Sequence, residues 1–228
     1  ASGEDLATTS DIVTDALTAF GLTAQDTGRF ADVLAAASSN ANTNVSMMGE
    51  TFKYAAPVAG ALGYSIEDVA VVTGLMANSG IKASQAGTTL RNIFNGLLNG
   101  VELTGDAFGE VSLTFENADG TMMDLASSVD TLRTYFNQMT QAERVHNAIN
   151  IAGQRGYSGL LAILNATTAD YNKLTTSIKN SSGAAQKMAD IKLDNLNGDI
   201  TKAKSAFEGL EIAVGEQLFP VLSISRSE

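Results

Sequence analysis

Residues 65–99 read SIEDVAVVTGLMANSGIKASQAGTTLRNIFNGLLN, and their spacing sets the fold class. Ser65 followed three residues later by Asp68 is a capping-box-like helix start, with Asp where Glu is commoner. Behind it Ile66, Val69, Ala70, Thr73, Met76 and Ala77 fall on one stripe at helical period. Residues 84–99 repeat the theme with Ala86, Leu90, Ile93, Phe94, Leu97 and Leu98. Two successive amphipathic helices predict a mainly α protein, a multi-helix bundle or elongated helical array.

The same period extends in both directions. Upstream, Ile12, Val13, Ala16, Leu17 and Phe20 share a face of a helix expected over 5–20 and stopped by Gly21. Phe30, Val33, Leu34 and Ala37 mark a second helix, which gives way to the polar run Ser38 to Ser46. A third is expected over 47–62, with Pro57 inside it expected to kink it or start a new turn. Downstream, Leu125, Val129, Leu132, Phe136 and Met139 step 4, 3, 4, 3. Thr140 and Glu143 form a capping box for a helix bearing Val145, Ala148, Ile149 and Ala152. Gly153, Gly156 and Gly159 then break the pattern before a short apolar helix over 160–164. Tyr171, Leu174 and Ile178 serve one more.

The middle departs from this. Val111 to Phe115 alternates apolar and polar residues, and an Asp119-Gly120 turn signal precedes Thr121 to Met123. That predicts a small β-hairpin near 111–123. Such a ribbon is marginal alone and must pack on helices or on another chain. The expected organisation is a helical core region over 1–100, a glycine-rich loop and hairpin over 101–124, and a helical region over 125–228.

The last region ends in the most regular feature of the sequence, an expected helix over 184–219. Ala189, Leu193, Leu196, Ile200, Ala203, Phe207, Leu210 and Val214 step 4, 3, 4, 3, 4, 3, 4. This is a heptad seam with Leu193, Ile200, Phe207 and Val214 at a. Gly198, Gly209 and Gly215 lie off the seam and each costs the helix about 1 kcal/mol relative to Ala. Packing must therefore stabilise it. The seam is either the buried face of an intramolecular helix or a surface for association, with Leu193, Leu196, Ile200, Phe207, Leu210 and Val214 as its contacts.

Composition excludes several chemistries. The 228 residues contain no Cys, no Trp and one His, with 33 Ala and 21 Gly. No thiol chemistry, disulfide scaffold or Cys-ligated zinc is possible. A net charge of −11 disfavours a primary nucleic-acid binder, which needs clustered Lys and Arg. His146 lacks an orienting carboxylate other than Glu143, an ordinary i−3 neighbour. Gly156-Tyr157-Ser158-Gly159 lacks the spacing of a nucleophile elbow. Asp190, Asp194 and Asp199 read as a solvated helix face, and no calcium-loop or phosphate-loop motif occurs. Neither catalytic residues nor a cofactor or metal is expected. The most apolar stretch, Tyr54 to Tyr64, is about half the roughly 20 residues of a membrane span. A start at ASGEDLATT, without Met or a basic leader, reads as a piece of a longer protein.

Several stretches are familiar as a set. They include Ala41-Asn42-Thr43-Asn44-Val45, Tyr54-Ala55-Ala56-Pro57-Val58-Ala59 and Met76-Ala77-Asn78-Ser79-Gly80-Ile81. Ser84-Gln85-Ala86-Gly87-Thr88, Asn180-Ser181-Ser182-Gly183, Asp194-Asn195-Leu196-Asn197-Gly198 and Leu218-Phe219-Pro220-Val221-Leu222 continue the set. Together, over roughly 5–222, the chain resembles the core region of bacteriophage tail tape measure proteins. The resemblance implies a helical structural component of a phage or prophage virion. Such proteins lie in several copies in the lumen of the tail tube, set tail length as the tube assembles, and leave when DNA is ejected. Implied partners are other copies of itself and the tail-tube, tail-tip and tail-assembly chaperone proteins, met in the host cytoplasm during assembly. No specific nucleic acid and no membrane is implied within this region, and no catalytic residue carries over. A filament subunit of the flagellin kind is the alternative from composition, and a peptidoglycan hydrolase a more distant one.

Overall fold

The structure, a computed structural model, describes residues 6–194, 199, 200 and 202–210. Among them, besides further helical residues after 198, are ten α-helices with defined ends and one two-stranded antiparallel sheet. In order these are α1 (Leu6–Ala19), α2 (Thr27–Asn40), α3 (Val45–Ala61), α4 (Ile66–Asn78), α5 (Ala83–Asn99), β1 (Val101–Gly105) and β2 (Gly109–Leu113). There follow α6 (Leu125–Phe136), α7 (Gln141–Ala152), α8 (Tyr157–Asn165), α9 (Thr168–Lys179) and α10 (Ala184–Leu193). The fold is mainly α with a small hairpin, as the periodicity implies. Contacts divide the chain into two units, one over 2–185 and one from Gln186 onward.

Local signals set most helix starts. Ser65 accepts a hydrogen bond from the Asp68 amide at 3.1 Å, and the Ser65 amide donates back to the Asp68 carboxylate at 3.2 Å. Thr140 and Glu143 form the same reciprocal cap for α7. Asn44 caps α3 by accepting from the Met47 amide at 2.8 Å. Each cap satisfies amides that a helix start leaves without intrahelical partners.

Packing makes α4 the centre of the larger unit. Ten of its residues, Ile66 and Val69 to Ala77, are buried, so it presents no polar face. The most extensive helix pair is α3 with α5. Close approach of backbones here and at other helix contacts accounts for several glycines within helices. A Cβ at Gly87 would lie 2.6 Å from the Thr51 carbonyl oxygen, and one at Gly96 would lie 2.6 Å from that of Ile151. A Cβ at Gly60 would collide with the Ala19 carbonyl. These glycines let backbones touch.

Gly28, in α2, faces open space instead. Gly28→Ala is expected to stabilise the protein by about 1 kcal/mol through helix propensity. Gly87→Ala gains the same propensity but overpacks the α3–α5 contact, an effect of about 1–3 kcal/mol in well-packed interiors. Urea unfolding of the two variants should move the midpoint in opposite directions.

Four expectations are corrected. Pro57 does not start a new helix, since α3 runs unbroken from Val45 to Ala61. Pro57 has no amide to donate to the Lys53 carbonyl, and both residues lie on the exposed side of the helix. Gly159 lies inside α8 rather than before it.

The third correction concerns the hairpin. Val111 to Leu113 pairs backward with β1, in the register Val101↔Leu113, Leu103↔Val111 and Gly105↔Gly109. Gly109, at φ +76°, closes the turn that joins them. The forward pairing around Asp119-Gly120 is reduced to a single Glu116–Met122 bridge, flanked by the Met123 amide donating to the Phe115 carbonyl and the Asn117 amide to the Thr121 carbonyl, both at 2.7 Å. Pairing backward buries Val101 and Leu103 against the core, whereas Met122 and Met123 are only half-buried. Burial therefore selected the partner.

The second unit carries the heptad pattern. Helix α10 stops at Leu193, and residues 199, 200 and 202–210 are again helical. Asp194 lies outside helical geometry, so the helix expected over 184–219 is interrupted there. It opens the run DNLNG, whose Asp, Asn and Gly are poor helix formers.

Candidate functional site

The catalytic candidates are dispersed by the fold. His146 is exposed on α7. Its neighbour Glu143 is engaged elsewhere: its carboxylate accepts from the Asp106 amide at 2.6 Å and from the Thr140 amide at 2.6 Å. These bonds, that from Asp106 foremost, hold the Glu143 carboxyl below its usual range. It is a fixed anion and not an orienting base. Ser158 sits in the first turn of α8, with no strand leading into it.

Other ionisable groups are also structural. The Arg133 guanidinium donates to the Leu164 carbonyl at 3.2 Å and the Ile163 carbonyl at 2.9 Å, closing the C-terminus of α8. It also lies 5.2 Å from the centre of the Tyr171 ring. Burial pushes the Tyr64 and Tyr171 phenols up to about 12, so neither exchanges protons near neutrality. Asp190 accepts from Gln186 at 2.7 Å and Asp199 pairs with Lys202 at 3.4 Å. Among the described residues no group of three His, Asp or Glu is placed to hold a metal ion. None of their helices is long and apolar enough to cross a membrane.

What the larger unit builds instead is a buried polar clamp on β1. Asn147, 1% exposed on α7, uses its side-chain amide as a strand would use its backbone. Its Oδ1 accepts from the Thr104 amide at 3.0 Å, and its Nδ2 donates to the Thr104 carbonyl at 2.8 Å. The same Nδ2 donates to the Glu143 carbonyl at 2.8 Å. Sequence reasoning missed this residue, although an Asn beside the apolar positions Ala148 and Ile151 was a visible irregularity. Asp32 was missed too: its carboxylate accepts from the Gly183 amide at 2.8 Å and the Ala185 amide at 2.9 Å, capping α10.

Replacing Asn147 by Ala removes two part-buried hydrogen bonds to Thr104, at about 0.5–1.5 kcal/mol each. Thermal unfolding should drop accordingly, and amide exchange should quicken most at Thr104. Asn147→Asp should be as damaging near neutrality, because a carboxylate faces two carbonyls. Its acid form can donate, so the folded-state pKa is raised and the loss should shrink as pH falls through it.

The candidate association residues lie in the second unit. Ile200, Phe207 and Leu210 are 64%, 70% and 59% exposed, and Leu193 is half-buried. Leu196 and Val214 lie outside the described residues, as does Pro220. Ile191, off the seam, is exposed as well. An exposed series of large apolar side chains is unusual on a helix with no further partner.

A family model described as phage-related minor tail protein matches residues 1–153. The chain is 39% identical over 222 residues to the tape measure protein of Pneumococcus phage Dp-1, covering 97% of this chain and 19% of that protein. It is 28% identical over 204 residues to the probable tape measure protein of Escherichia phage P2, covering 88% of this chain and 24% of that protein. The chain thus spans about a fifth to a quarter of these relatives. No solved structure matches it significantly. With a family model matching residues 1–153 and tape measure proteins matching most of its length, the chain belongs to the phage tail tape measure family.

Proposed function

We propose that this region is part of the length-setting scaffold of a phage tail. It lies in the lumen of the tail tube, associates with other copies of itself, supports tube assembly together with tail-tube, tail-tip and chaperone proteins, and leaves when DNA is ejected. Assembly takes place in the host cytoplasm. The observation that carries this reading is the exposed series Ile200, Phe207 and Leu210, spaced 7 and 3 on helical backbone. That spacing is what a left-handed helix–helix seam requires, and exposed apolar residues at it call for a neighbouring helix. Family membership supports the tail as the place where the neighbour is found.

Helix converts residue count into length at about 1.5 Å per residue. Deleting two whole heptads from the segment 193–214 preserves the seam register. In a phage carrying the deletion, tails are expected to shorten by roughly 21 Å, measured over many particles by electron microscopy. Unchanged tails would assign the segment to anchoring or initiation and remove it from the ruler.

A further inference from the structure

The two-stranded sheet has two edges, and among the described residues side chains outside it bond only to the β1 edge, at its turn end. On β1, Thr104 directs both its amide and its carbonyl to Asn147, and the next amide outward, that of Asp106, goes to Glu143. In an antiparallel ladder the backbone groups of a non-hydrogen-bonded pair point away from the partner strand. Because Thr104 points outward, so does its register partner Glu110 on β2. By the two-residue period, Ser112 opposite Glu102 points outward as well. Among the described residues, no group outside the hairpin hydrogen-bonds to the backbone of Glu110 or Ser112, and both residues are exposed.

Charge selects what can pair there. Residues 101–124 contain Glu102, Asp106, Glu110, Glu116, Asp119 and Asp124 and no Lys, Arg or His, so this segment alone carries a charge of −6. Glu102, Thr104, Glu110 and Ser112 share the solvent face of the hairpin, opposite buried Val101 and Leu103. A β2 strand from a second copy would bring an acid-only surface against another one, and like charges on neighbouring strands are destabilising. A basic strand meets the opposite situation. At the open end of the hairpin a cavity of about 500 Å³ is lined by Glu102, Ser112 and Thr114 with Gly96, Asn99 and Asn150. Glu102 is its one charged lining residue.

We propose that the free edge of β2 accepts an extended basic segment of a partner protein as a third strand. The outward groups of Glu110 and Ser112 supply the main-chain pairing. Lys or Arg at alternate positions of the added strand lies beside the Glu110 carboxylate, and the end of the segment places a cationic side chain in the cavity at Glu102. Backbone pairing supplies affinity in this mode and alternate side chains supply specificity.

The test uses the full chain and two fluorescent octapeptides of equal charge, TKVKTKVK and PKGKPKGK; the second cannot form a strand. TKVKTKVK is expected to bind at least tenfold more tightly by anisotropy. Glu110→Lys and Ser112→Pro should each weaken it at least tenfold. Ser112→Pro removes an outward amide and leaves the β1–β2 ladder intact, so circular dichroism should be unchanged. Independently of any variant, bound TKVKTKVK should slow amide exchange at Glu110 and Ser112 and not at Val111, already within the ladder. Equal binding of the two peptides, full affinity in folded Ser112→Pro, exchange unaltered at Glu110 and Ser112, or no binding at all would each overturn the proposal.

Discussion

A phage carrying Ile200→Asp is expected to build normal heads and to show missing or irregular tails. Ile200 is 64% exposed and its helix places it seven residues before Phe207, the next a position. Exposure means the substitution costs the isolated chain little, since a carboxylate there remains hydrated. Within a helix–helix seam the same carboxylate is buried against apolar side chains and must be desolvated, protonated or expelled. The loss therefore falls on assembly and not on folding. Light scattering of the isolated protein should show a smaller particle for the variant at unchanged helicity. Ile200→Leu, which keeps the apolar contact, should restore tails. Normal tails from the Asp variant would remove the seam from the function.

The largest loss of stability is expected from Phe94→Ala. Phe94 is fully buried on α5, and its ring centre lies 5.2 Å from that of Tyr64 in a tilted pair. Its neighbours Gly87 and Gly96 on the same helix hold the backbones of α3 and α7 close, so the space left by the ring cannot collapse freely. Truncating a buried Phe in such surroundings costs about 3–5 kcal/mol through lost burial and the residual cavity. For a unit of this size that corresponds to a fall of roughly 10 °C in Tm. Phe94→Leu retains most of the volume and should cost less than about 1.5 kcal/mol. Calorimetry on the two variants separates cavity from chemistry: equal losses would show that the aromatic pairing, and not volume, governs the site.

The polar interior gives a smaller and more local response. Loss of Asn147 should open β1 first, because its bonds end on one residue, Thr104. Loss of Phe94 removes packing shared by the whole larger unit. Exchange measured amide by amide distinguishes the two.

Helix was legible in the sequence wherever its cause was local. Ser65 with Asp68 and Thr140 with Glu143 marked two starts, and both caps form, because a side chain three residues away reaches the amide it satisfies whatever the rest of the chain does. The apolar stripes were legible for the same reason, since 3.6 residues per turn fixes which side chains share a face. The resemblance to tape measure proteins was legible in short strings such as Ser84 to Thr88, and the comparisons agree with it. The spacing of Ile200, Phe207 and Leu210 was legible as a pattern. Their exposure was not, because a heptad does not state whether its neighbour belongs to the same molecule.

What only the tertiary structure decided were choices between distant partners. Val111 to Leu113 could pair forward to Thr121 or backward to Val101, and turn chemistry offered glycines for both. Burial of Val101 and Leu103 chose the second. Asn147 looked like one more polar residue on a helix until the fold laid β1 against it. Gly60, Gly87 and Gly96 gave no reason for themselves inside helices, and that reason is the carbonyl of another helix where a Cβ would stand. Pro57 looked like a break, and the helix runs through it with Pro57 and Lys53 both on its exposed side. Sequence by itself determined where this chain turns into helix and which faces are apolar, since those depend on neighbours within one turn. Tertiary structure decided which apolar faces meet, which strand pairs with which, and which polar groups become buried, since those depend on surfaces brought together from tens of residues apart.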